Sequence, residues 1–154
     1  AISGKIIGDG NYFSSNVAIP TWQWGDIGNY YGAGAYGLNF HENLYYLRFR
    51  QAHRLKETPD ISVIEPEVPG LSFRNEVKSA SARSGDNAYI YGAPYSYLRY
   101  VRGTIPIGKG LFSIKGSIPD PPYFAAYHLS KKLEKIGISS NGVTTQLQLV
   151  ESKK

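Results

Sequence analysis

The chain has 154 residues, enough for one domain or two small lobes with a core of their own. Thirteen tyrosines against six phenylalanines, with few helix formers except near the C-terminus, favour a mainly β body with wet, half-buried aromatic surfaces. The absence of cysteine excludes a disulfide framework and a thiolate metal site, and a formal charge of only +5, scattered among acids, argues against nucleic acid as a partner.

In chain order, ISGKIIGD (2–9) reads as a short strand that ends in the turn Gly8-Asp9-Gly10-Asn11. From Tyr12 to Ala35 there is no sustained period, but there are Pro20, glycines and bulky aromatics. This predicts a long ordered loop, the kind that a compact domain keeps for function. AYGLNF (35–40) alternates as a strand with Tyr36, Leu38 and Phe40 on one side. Tyr45, Leu47 and Phe49 continue in the opposite parity, so a bulge or corner is expected near His41 to Asn43. EPEVPG (65–70) is a turn-rich connector. LSFRNEVKSA, NAYIYGA, LRYVRGTIPI and LFSIKGSI follow as closely spaced strands. The period then changes: Pro122, Ala126, Leu129, Leu133 and Ile136 make one helical stripe, with Asp120 as N-cap, Pro121 at the first helical position and Gly137 as the stop. Ser130, Lys131, Glu134 and Lys135 should face solvent or a neighbouring lobe, and VTTQLQLV (143–150) should form a last strand. The fold class is α+β, a mainly β body of short antiparallel strands with long ordered loops and one C-terminal helix. The division expected is 1–118 as a β-rich region and 119–154 as a return helix and terminal strand.

The chemistry legible in motifs is sparse. No serine has lysine three residues on, and Lys-Thr-Gly is absent. Ser139-Ser140-Asn141 matches Ser-x-Asn, yet its place after a helix stop reads as a turn. Glu65 and Glu67 flank Pro66 in a connector and read as solvated charge. GDGNYF and GAGAYG lead into no helical pattern, so neither is a phosphate cradle. His41-Glu42-Asn43 suits a structural hydrogen-bonding role at a corner. His41, His53 and His128 lack zinc-ligand spacing, so no metal and no cofactor are implied. No apolar run reaches membrane-spanning length, and no signal peptide opens the chain. Ala1 in place of an initiator methionine reads as a processed or excised piece.

IIGDGNYF followed by IPTWQWGDIGNYYGAGAYGLNFHEN resembles the inserted region of penicillin-binding-protein-4-type D-alanyl-D-alanine carboxypeptidases, the class C low-molecular-mass penicillin-binding proteins. That family has a similar "GD-x-S-x-F" strand, then "W-x-W-D-D" and "YYGA-x-x-x-AL-x-x-NEN". RGTIP…FSIKGSIPDPPYFAAYHLSKKLEKIGI is similar to its "DP-x-x-YAA-x-x-L…L…GI" return, so the likeness runs from about Lys5 to Ile138. In such enzymes Ser-x-x-Lys lies before this region, with Ser-x-Asn and Lys-Thr-Gly after it. The resemblance therefore implies an accessory, substrate-positioning part of a serine hydrolase of peptidoglycan metabolism. Its partners would be a transpeptidase-like catalytic domain of the same parent chain and the D-Ala-D-Ala stem peptide. Its place would be the periplasm or cell envelope, and no catalytic residue is expected in this chain.

Carried over by position, Trp22 and Tyr30 match an aromatic wall that borders the family's active-site cleft and helps hold the diamino-acid side chain of the stem peptide. Asp26 offers the acid for its ammonium, although Gly25-Asp26 stands where the family often has two aspartates. Rigid aromatics give contact area at low entropic cost, and glycines let the backbone turn sharply. The bland alternative is that Trp22 and Trp24 fill a mini-core that pins the loop. At the level of function, the alternatives are a free-standing, non-enzymatic wall-binding or scaffold module, and an unrelated enzyme whose convergent pocket would hold perturbed titratable groups.

Overall fold

In the computed structural model, residues 1–13 and 17–145 are described. The elements are β1 (Ile6–Gly8), α1 (Trp24–Ile27), β2 (Leu44–Arg50), β3 (Asp60–Glu65), β4 (Ser72–Ala80), β5 (Asn87–Tyr91), β6 (Leu98–Pro106), β7 (Leu111–Ser117), α2 (Pro121–Lys135) and β8 (Val143–Thr145). The molecule is thus α+β, mostly strands in small sheets with one main helix. They belong to two compact units: one from Ala1–Val17, Ala35–Asn43 and the segment from Asp120 onward, the other from Ala18–Gly34 and Leu44–Pro119.

The larger unit holds two three-stranded sheets, ordered β3-β2-β7 and β4-β6-β5. In the first, β2 pairs antiparallel with both neighbours, Leu47 facing Ile64 on one side and Ile114 on the other. In the second, β5 and β6 are antiparallel, whereas β4 and β6 run parallel with β5 inside their connection. Alternation drives one face of each sheet inward. Tyr45, Leu47 and Phe49 of the first sheet and Val77, Ile90, Val101 and Ile105 of the second are all fully buried. The Tyr45 and Phe73 rings lie 6.0 Å apart, and desolvation in this core holds the Tyr45 phenol well above its ordinary range, with the nearby Arg99 cation pulling the other way. Arg99 is itself buried; its guanidinium donates to the carbonyls of Ala93 at 3.0 Å and Ser117 at 3.5 Å, tying β6 to the end of β7.

In the smaller unit, β1 and β8 pair in parallel, Ile6 opposite Val143, and both pack on α2. α2 has the predicted caps. The Asp120 carboxylate accepts from the Tyr123 N–H at 3.0 Å, and prolines follow at the first helical positions. Gly137, at φ 79°, donates to the Glu134 carbonyl while Ile138 donates back to Leu133, a Schellman closure. The buried face is turned from the predicted stripe. It runs through Pro121, Pro122, Phe124, Ala126 and Ser130, while Leu129 and Ile136 are exposed. Ser130, expected to face solvent or a neighbouring lobe, is buried, and its hydroxyl donates to the Glu134 carboxylate one turn on, at 3.3 Å. Phe124 fills the space that a longer stripe would have used, packing against Phe40 and His128 with ring centroids 5.7 and 4.3 Å away.

One further expectation gives way. AYGLNF is not a strand. The Gly37 backbone lies against Gly10, to whose carbonyl it donates at 3.2 Å, and Asn39 closes a turn onto the Tyr36 carbonyl, so no ladder can form. The corner after it is a left-handed turn in which His41, Glu42 and Asn43 have φ of 58°, 54° and 53° in succession. Such a run is costly for side-chain-bearing residues, and the Asn43 side chain offsets part of it by accepting from the Phe40 N–H and donating to Asn39. β3 was passed over in the sequence because most of its positions are exposed and carry no clean alternation. The predicted last strand is present over Val143–Thr145; its remainder lies outside the described residues.

Candidate functional site

The loop Ala18–Gly34 in the larger unit is built from short turns. Trp22 donates to the Ile19 carbonyl at 2.9 Å, α1 follows, and Asn29 and Gly32 close the next two turns. Asn29 then pins the loop. Its side-chain oxygen accepts from the Ile90 N–H at 2.9 Å, and its amide donates to the carbonyls of Gly25 at 2.6 Å and Ile90 at 3.3 Å. On the other side, Ser117 donates its hydroxyl to the Ile27 carbonyl at 2.7 Å and its N–H to Gly28 at 3.0 Å. The loop so bridges the edges of β5 and β7. Gly28 is needed for this approach, since a side chain there would strike the Ile90 carbonyl.

With its backbone tied down, the loop presents its rings outward. Trp24 is 57% exposed, and Tyr30 and Tyr31 are each 49% exposed. Trp24 therefore fills no mini-core; the pinning falls to Asn29 and Ser117. Trp22 and Asp26 are half-buried. Tyr30 and Tyr31 meet edge-on at 5.2 Å, and the Lys115 ammonium stands 5.4 Å from the centres of both the Tyr30 and Tyr46 rings. The Tyr31 phenol is held above its ordinary range, first by burial and then by the Asp26 carboxylate and the neighbouring tyrosines Tyr89, Tyr30 and Tyr91. A cleft of about 260 Å³ opens beside Tyr30 and Tyr31, lined also by Asp86, Ala88, Tyr89, Ile114 and Lys115. Burial raises the Asp86 carboxyl above its usual range, opposed by the Ala88 N–H that it accepts.

Of the three residues carried over by resemblance, Tyr30 lines this cleft, whereas Trp22 and Asp26 sit earlier on the same loop, outside the lining. Tyr31, Asp86, Tyr89 and Lys115 were missed. The Tyr30-Tyr31 doublet and the outward alternation of Tyr89 and Tyr91 were the signals that could have found two of them. A larger depression of about 430 Å³, bordered by Arg50, His53, Glu57, Asp60 and Lys109, mixes both signs of charge and has no aromatic rim. The Ser-x-Asn triplet forms no turn of its own: the Ser139 carbonyl accepts from the Ile2 N–H at 2.7 Å, and Asn141 ties back to the carbonyls of Gly4 and Ser3. Glu65 pairs with Arg48. Among the described residues, no helix is long and apolar enough to cross a membrane.

Solved structures share this architecture. Penicillin-binding protein 4 of Haemophilus influenzae matches 86% of this chain and 29% of its own length, with a TM-score of 0.64 and 20% identity. The same protein in complex with a novel β-lactam matches 72% of this chain and 25% of its own length, with a TM-score of 0.53 and 19% identity. The chain thus spans less than a third of the length of the solved proteins that it resembles. No curated protein matches it. The model of the D-Ala-D-Ala carboxypeptidase 3 (S13) family matches residues 1–154, and the chain belongs to that family.

Proposed function

We propose that this chain is the accessory, substrate-positioning part of a serine D-Ala-D-Ala carboxypeptidase or endopeptidase of peptidoglycan metabolism, acting outside the cytoplasmic membrane. In this reading residues 1–118 form the inserted region and 119–154 the return, and the nucleophile belongs to a transpeptidase-like catalytic domain of the same parent. The observation that carries it is the pinned loop: a backbone clamped by Asn29 and Ser117 with Trp24, Tyr30 and Tyr31 left open to solvent. A rim of this kind offers rigid contact area to a ligand without the entropic cost of ordering it. The lack of Ser-x-x-Lys and Lys-Thr-Gly in the sequence supports the same division of labour. Trp22, Asp26 and Tyr30 are the residues assigned to the stem peptide, the rings as wall and the carboxylate as partner for an ammonium.

The test has two arms. The chain by itself is expected to take no covalent label from fluorescent penicillin, and a stoichiometric adduct would overturn the non-catalytic assignment. In the full enzyme, Trp22→Ala is expected to lower kcat/KM for stem peptides about 10- to 100-fold, the range for losing an aromatic anchor. Acylation by a small β-lactam should persist. Equal loss for both ligands would mean that Trp22 serves folding instead.

A further inference from the structure

The outward face of the sheet β4-β6-β5 carries a band of tyrosines that the peptide reading does not use. Alternation sends Ile90 and Val101 into the core and leaves Tyr89 and Tyr100 46% and 36% exposed on the opposite side. Register sets Tyr91 directly across from Tyr100, and Tyr89 across from Arg102. Two positions along one strand put Tyr89 and Tyr91 roughly 7 Å apart on the same face. The band continues into the loop. Gly25 stands against the Tyr91 ring, and Tyr31 feels both Tyr89 and Tyr91. Beside the rings, Arg102 lies over Tyr100 at 5.9 Å, and Glu76 accepts from Arg102 at 2.7 Å and pairs with Arg74 at 3.2 Å.

Two properties choose the occupant. The first is the kind of ring. Tyrosine couples a flat apolar face to a hydroxyl, which suits a ligand whose own rings are apolar on their C–H faces and hydroxylated at their rims. The second is charge. Although the chain carries +5, the band and its cleft come close to neutral, with Arg74, Lys78, Arg102 and Lys115 against Asp26, Glu76 and Asp86. A surface so close to neutral, with two of its cations paired to Glu76, gives little purchase to a polyanion.

We infer that this face binds a neutral oligosaccharide, with successive sugar rings laid along Tyr100, Tyr91 and Tyr89 and one end at the cleft beside Tyr30. The site goes beyond the peptide assignment, since Trp22 takes no part in it. It also sits mostly on paired strands, which hold the rings in place before any ligand arrives.

The experiment is titration of the 154-residue chain with soluble β-1,4-linked N-acetylglucosamine oligomers, followed by tyrosine fluorescence and calorimetry. Saturable binding is expected, tighter for longer oligomers than for the monosaccharide and little changed by salt. Tyr89→Ala and Tyr100→Ala should each weaken it about tenfold or more, the usual loss for a stacked ring, with thermal unfolding unaltered because both side chains project outward. No saturable binding would overturn the inference. So would affinity indifferent to both substitutions, or binding of a sulfated polyanion or of stem peptide at this face in place of the sugar. Failure here leaves the peptide reading standing, because that reading is measured through Trp22→Ala and turnover.

Discussion

Asn29 spends both ends of one amide on holding a loop to a strand edge. Removing it leaves the N–H and carbonyl of Ile90 and the carbonyl of Gly25 without their partner in a largely buried setting. Asn29→Ala is therefore expected to destabilise the larger unit by about 2–4 kcal/mol in denaturant titration, the cost of orphaned buried groups rather than of one average hydrogen bond. A loss below about 0.5 kcal/mol, the scale of ordinary surface substitutions, would mean that Ser117 alone suffices as anchor. None of this was readable in the sequence, where Asn29 is one polar residue between a glycine and two tyrosines. Its partner Ile90 is distant along the chain, and local spacing carries no record of such a pairing. Lys115 was invisible for the same reason. It approaches Tyr30 because β7 lies beside the loop, not because of any motif.

Elements were more legible where their signals are local. α2 announced itself through an aspartate, prolines, a repeat of apolar positions and a terminal glycine, and its bounds agree with those signals. The side that it buries did not, because ring packing around Phe124 outweighs the aliphatic count. β2, β4, β5, β6 and β7 were all anticipated as strands; their partners were not, and the parallel pairing of β4 with β6 has no mark in composition. AYGLNF misled because alternation is necessary for a half-buried strand but does not supply a neighbour to pair with. The helix cap also predicts a pH response. Burial holds the Asp120 carboxyl above 3.8, against the pull of the Tyr123 N–H. Between 3.8 and that raised value the folded state keeps a proton that the unfolded chain has released, so the stability contribution falls as pH rises through this window. Asp120→Asn keeps a capping oxygen and removes the titration. In denaturation curves collected across the mildly acid range, wild type should lose stability relative to the variant as pH rises from 3.8 and then run parallel to it. Parallel curves throughout would show that the carboxyl titrates alike in both states.

For the molecule as a whole, the smaller unit draws on three separate stretches of chain. β1 supplies the edge that pairs with β8, and Gly8 lets the strand press against the Pro122 backbone. Deleting residues 1–8 should accordingly cost most of the helical far-ultraviolet signal, while the near-ultraviolet signal of the tyrosine-rich sheets is kept. An unchanged helical signal would show that α2 stands without β1. The family resemblance was the most legible property at this scale, since its residues are spread along nearly the whole chain. The pairing of Ile6 with Val143 has a further meaning for biosynthesis. A ribosome releases the first of these residues long before the second, so β1 must remain unmatched while every strand of the larger unit emerges and finds its place. The smaller unit is therefore the last to close, its nucleus paying the loop-closure entropy of most of the chain, and a nascent chain stalled before β8 would display a bare strand to any chaperone nearby.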